Sequence, residues 1–96
     1  MKGMTDMKIA MTASGKVQGV GFRYTIQLLA TQMNITGIVK NQSSGDVYIE
    51  ACGSKESVQA FIEKVRNSPS CFCRVDHLYL DTSKKIGDYA TFSIIY

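Results

Sequence analysis

The segment "SGKVQGVGFRYT", Ser14 to Thr25, sets Gly15, Gly19 and Gly21 ahead of Arg23. Glycine loses more conformational freedom on folding than any other residue, so three in seven positions ask for a physical reason. One reason is a turn whose consecutive N–H groups curl around an anion. A helix starting at Phe22 would add its positive end to such a nest, and Arg23 a planar fork of donors matched to phosphate or carboxylate oxygens. The pattern G-x3-G-x-G is not the dinucleotide fingerprint, and no Gly-Lys-Ser/Thr follows to make a P-loop. A tight turn with a surface arginine satisfies the same spacing. Asn41 is the second candidate. Its carboxamide offers both a donor and an acceptor, although asparagine beside a turn is also common for local reasons. Lys16 and Gln18 read as solvated loop side chains, His77 as structural or exposed, and Tyr48, Tyr79, Tyr89 and Tyr96 as sheet and surface aromatics.

The elements that must hold these residues follow from periodicity. Met7, Ile9, Met11 and Ala13 alternate, which predicts a strand over Met7–Ser14 with one face buried. Phe22, Ile26, Leu29, Ala30 and Met33 recur at helical spacing, so a helix runs from Phe22 to Met33 and stops near Asn34. Thr36–Asn41 and Asp46–Ala51 read as two strands joined by a hairpin over Gln42–Gly45, with Gly45 free to take positive φ. Ser54 caps a second helix from Lys55 to about Ser68, with Val58, Phe61, Ile62 and Val65 as its apolar stripe and Pro69 closing it. Val75, Leu78 and Leu80 mark a fourth strand whose uneven spacing leaves room for a bulge. Thr91–Ile95 is a short last strand. The expected fold is therefore α+β and ferredoxin-like. It is a split βαβ arrangement, βαββαβ plus a short terminal strand, with two helices on one face of a mainly antiparallel sheet.

The totals bound the function. Ninety-six residues make one small domain, here 7–96 after a loose leader over 1–6. The net charge of +3 suits an acidic ligand but is far from the dense basic patch of a nucleic-acid binder. An RNA-binding reading of this element order needs exposed aromatics on the central strands; the first strand has none and the third only Tyr48. No apolar run is long enough to span a membrane, and the start lacks a secretory signal. Cys52, Cys71 and Cys73 are an odd set, which argues for free thiols in a reducing, cytoplasmic setting. Cys71-x-Cys73 with a single histidine does not make a zinc site, so no metal is expected.

Taken together, these pieces resemble the acylphosphatases. "GKVQGVGFR", Gly15 to Arg23, looks like that family's first motif and fits without a gap. "GIVKNQSSGDVYIEACG", Gly37 to Gly53, is similar to the second, with Ile38 standing where the family usually carries an aromatic. The resemblance runs from about Met7 to Tyr96. It implies hydrolysis of a small-molecule acyl phosphate to a carboxylate and inorganic phosphate by a monomer, without metal, organic cofactor, membrane or nucleic acid. By the family's pattern, the phosphate is held by the backbone from Gly15 through Lys16, Val17, Gln18, Gly19, Val20, Gly21 and Phe22 together with the side chain of Arg23. Asn41 orients the attacking water. No cysteine in the first strand can partner Cys52, which is expected to stay reduced. The alternative is a phosphate-binding module on the same fold that catalyses nothing.

Overall fold

The computed structural model describes residues 6–96. The expected leader, Asp6 apart, lies outside the described residues; Asp6 already opens the first strand. β1 (Asp6–Lys16) buries Ile9, Met11 and Ala13 on one face, as alternation requires. α1 (Phe22–Gln32) buries Phe22, Ile26 and Ala30. It ends one residue before the predicted Met33 because Asn34 takes a left-handed conformation (φ 58°). There Ile35 N–H donates to Ala30 C=O at 2.8 Å and Asn34 N–H to Thr31 C=O at 3.3 Å, a Schellman-type stop.

β2 (Thr36–Asn41) and β3 (Val47–Ser54) form the hairpin, with Gly45 at φ 98° in the turn. β3 runs three residues beyond the predicted Ala51. Its last residues, Gly53 and Ser54, pair with Met7 and Asp6, a partnership that local alternation does not reveal. α2 (Lys55–Arg66) starts as expected, with the Ser54 hydroxyl accepting from Ser57 N–H at 3.1 Å. It stops two residues short of the predicted Ser68, which is left-handed (φ 62°). β4 (Arg74–Asp81) and β5 (Phe92–Ile95) complete the chain.

The sheet order is β4-β1-β3-β2-β5, antiparallel except for the parallel β2–β5 pair. β3 therefore sits between β1 and β2, and the ends of β1 and β2 that carry the two motifs lie at the same end of the sheet. The uneven spacing of β4 does reflect a bulge. Ser14 pairs with His77 but Gly15 with Val75, so Asp76 is the extra residue on β4. That insertion puts Val75 and Leu78, three apart, against the same core. The core fills the space between sheet and helices: Phe22, Ile26, Val39, Ile49, Phe61 and Val65 are all at most 1% exposed. Each such side chain contributes about 1.5–3 kcal/mol by leaving water. On the reverse face, the connection between β4 and β5 crosses the sheet and lays Ile86 on Ala10, Tyr48 and Cys52.

Candidate active site

The loop after β1 is shorter than the motif. Gly15 and Lys16 still belong to the strand, paired with Val75 and Arg74, so neither lies in the turn where the sequence pattern put them. The glycine at 15 answers to β4. Its φ is 127°, and a Cβ there would lie 2.3 Å from the Arg74 carbonyl oxygen. The turn itself is Val17–Gly21. Val17 is buried and ties the turn to the core, and Val20 packs against the same cluster. Gly19 (φ 75°) and Gly21 (φ 74°) are left-handed with open space around them, which is the conformation that favours glycine in an amide nest.

Gly21 is also the N-cap of α1, and it offers no side chain to the helix. The first intrahelical bond is Thr25 N–H to Gly21 C=O at 3.0 Å, and the Thr25 hydroxyl donates to the same oxygen at 3.0 Å. The N–H groups of Phe22, Arg23 and Tyr24 thus have no partner inside the helix. α2 provides the contrast: it is capped by Ser54 and carries Glu56 in its first turn. α1 has no acidic residue in its first turn and instead places Arg23 there. A cation at the positive end of a helix is unfavourable unless an anion joins it.

Arg23 forms no salt bridge or hydrogen bond with any described residue. Its guanidinium lies 5.0 Å from the centre of the Tyr96 ring. It opens into a cleft of about 160 Å³ whose walls include Val17, Gly19, Gly21 and Phe22 from the loop side. Asn41, the last residue of β2, lines the opposite side, and its side chain has no hydrogen-bond partner among the described residues. Arg23 is the one charged side chain among the described residues lining this cleft. The neighbouring Lys40 is turned to the reverse face, 5.7 Å over the Tyr48 ring, by strand alternation. Among the described residues, no group of three or more His, Cys, Asp or Glu side chains is placed to hold a metal.

Of the residues singled out by the motif, the cleft gathers Val17, Gly19, Gly21, Phe22, Arg23 and Asn41. Gly15, Lys16, Gln18 and Val20 do not line it. Gln18, expected as a solvated loop side chain, is instead half-buried and donates to two backbone carbonyls of the hairpin. Three lining residues were not anticipated: Tyr24, Ile94 and Tyr96. Tyr24 follows Arg23 and was legible as a neighbour. Ile94 and Tyr96 come from the far end of the chain and reach the cleft because β5 pairs with β2.

The acylphosphatase family model matches residues 9–94. An acylphosphatase of Lactobacillus gasseri is 42% identical over 88 residues, spanning 92% of this chain and 97% of that relative. The crystal structure of acylphosphatase from Bacillus subtilis superposes with a TM-score of 0.86 at 36% identity, covering 96% of this chain and all of that one. An acylphosphatase structure from Coxiella burnetii gives a TM-score of 0.87 at 33% identity, over 99% of this chain and all of that one. The match takes in both motifs and every strand and helix that brings Arg23 and Asn41 to one cleft, and the chain belongs to the acylphosphatase family.

Proposed function

We propose that this chain hydrolyses acyl phosphates with Arg23 and the loop amides holding the phosphate and Asn41 aiming the water. The observation that carries the reading is the single cleft in which an unpaired guanidinium, an uncapped helix N-terminus and an unpaired carboxamide meet. Phosphoryl transfer asks a protein for alignment and for charge stabilisation on the equatorial oxygens. The loop amides, including those of the Gly15–Gly21 motif that face the ligand, and the guanidinium supply the charge term. Asn41 supplies the alignment.

The bonds balance without a cofactor. The water oxygen bonds to phosphorus as the bridging P–O bond breaks, and the electron pair of that bond leaves with the carboxylate. One proton of the water stays on the new P–OH, and the other passes to a phosphate oxygen. Dianionic acyl phosphate plus water thus yields a carboxylate and monoanionic dihydrogen phosphate. A carboxylate whose acid has a pKa of about 4 departs unprotonated. A general acid adds little to such a step.

The substrate is a small molecule, and Arg23 and Asn41 meet in one cleft within a single chain, so a monomer suffices for the proposed reaction. Three unbridged cysteines, Cys52, Cys71 and Cys73, suit a reducing cytoplasm. A net charge of +3 without a basic stripe goes with an enzyme that does not engage nucleic acid. The test is release of phosphate and acetate in equal amounts from acetyl phosphate with EDTA present. Phosphate binding without turnover would reduce the chain to an anion-binding module, and loss of turnover in EDTA would overturn the metal-free mechanism.

A further inference from the structure

The two halves of the cleft come from strands that do not touch. β1 leads into the loop and β2 ends at Asn41, but β3 lies between them in the sheet. One side chain spans the gap. The Gln18 amide nitrogen donates to Gln42 C=O and to Asp46 C=O, each at 2.9 Å, and so uses both of its hydrogens. Gln42 follows Asn41 directly, and its own N–H donates to that same Asp46 carbonyl at 2.9 Å. Gln18 in turn sits between Val17 and Gly19, both of which line the cleft. Because both partners are acceptors, only a donor can fill this position. A carboxylate of the same shape would face two carbonyl oxygens.

We propose that Gln18 is a positioning residue, which locks the hairpin bearing Asn41 to the phosphate loop and so sets where the water sits relative to phosphorus. This rests on the reading that Asn41 orients that water. The bond geometry argues for it. The donors and acceptors are half-buried, so a lost bond is not simply replaced by solvent. Misplacement of a reacting group by about 1 Å can cost on the order of 100-fold in rate. The loop still holds its glycines and Arg23 without Gln18, so phosphate binding should survive.

The test compares Gln18→Met, Asn41→Ala and the double variant, each assayed well below its own Tm. Acetyl phosphate turnover reports kcat, and inorganic phosphate serves as the binding probe. Gln18→Met is expected to lower kcat roughly 10- to 100-fold, with phosphate affinity changed by less than about threefold. In the Asn41→Ala background the same substitution should change kcat by less than about twofold, because residues acting through one another are not additive. Exchange of the Gln42 amide hydrogen should quicken in Gln18→Met. Gln18→Glu should be at least as slow as Gln18→Met. Where Gln18→Met does not fold, Gln18→Asn, which keeps the donor on a stem one methylene shorter, takes its place in the cycle. Full kcat in Gln18→Met, a loss confined to phosphate affinity, or losses that multiply with Asn41→Ala each overturn the proposal. Unchanged kcat in Asn41→Ala alone sinks the water-orienting reading and this inference with it. A slow Asn41→Ala beside an unimpaired Gln18→Met sinks the inference only.

Discussion

The Arg23 guanidinium rests 5.0 Å from the centre of the Tyr96 ring, so the cation that opens into the cleft is met by a residue 73 positions away in the chain. An exposed cation–π contact of this kind is worth about 0.5–1 kcal/mol. It holds the arginine without neutralising it, as an acidic partner would.

Removing the ring should therefore cost little and removing the charge should cost much. Tyr96→Ala is expected to raise KM for acetyl phosphate about two- to fivefold with kcat nearly unchanged. Arg23→Ala should raise KM sharply and lower kcat, because the phosphate loses a charged bidentate partner in both ground and transition states. Arg23→Lys should not restore activity, since an ammonium cannot reproduce the planar fork. Steady-state kinetics on the three variants check all of this.

Asn41→Ala should separate binding from chemistry. We expect kcat to fall by about 100-fold or more, while competitive inhibition by phosphate changes by less than about threefold. A loss of phosphate affinity equal to the loss of kcat would instead make Asn41 a phosphate ligand.

Two of the glycines serve the fold and two the loop, and substitution should sort them. At Gly37 (φ 147°) a Cβ would lie 1.8 Å from the Glu50 carbonyl oxygen, and at Gly15 it would lie 2.3 Å from that of Arg74. Gly37→Ala and Gly15→Ala must therefore move β3 or β4 and should cost more than about 2 kcal/mol each in urea unfolding. Gly19→Ala and Gly21→Ala meet nothing within 4 Å, so only the left-handed φ is strained. These should cost about 1–2 kcal/mol and leave a folded protein with impaired turnover.

The reverse face of the sheet predicts an alkaline limit. Buried Glu50 accepts from the Tyr48 hydroxyl at 2.6 Å and from the Tyr89 hydroxyl on the crossing segment. The Glu50 hydrogen bond and, after it, burial push the Tyr89 phenol from its usual 10.0 up to about 12. Burial, followed by the same carboxylate, raises Tyr48 as well. A phenol whose folded pKa exceeds its unfolded one contributes its full stability below pH 10 and loses it as pH rises towards about 12. The urea midpoint should thus decline over that window, and less steeply in Tyr89→Phe. At neutral pH, Glu50→Ala strands two hydroxyls without their acceptor and should cost about 2–4 kcal/mol, with kcat of the folded fraction unchanged.

Local chemistry made much of this molecule legible in its chain. The Ser54 cap, the Val58, Phe61, Ile62 and Val65 stripe, and the limits of β2 are short-range properties, readable from spacing because hydrogen-bond geometry repeats every 3.6 or 2 residues. The pairing of Arg23 with Asn41 was legible through two motifs that resemble those of a known family. The family's pattern also groups Gly15 with the phosphate loop, whereas in the structure Gly15 belongs to β1. Its positive φ answers to the approach of β4, a strand some sixty residues further on.

Residue types, periodicity and the two motifs were enough to establish the element order, the family and the two residues on which the proposed chemistry rests. Assembly in three dimensions alone settled that Tyr96 reaches Arg23, that Gln18 bridges to the hairpin, and that Glu50 is buried under Tyr89. Each of these joins residues from 24 to 73 positions apart. Such contacts depend on which strands become neighbours, and that is decided by how the buried faces of the whole chain pack, not by any pattern within a window of a dozen residues.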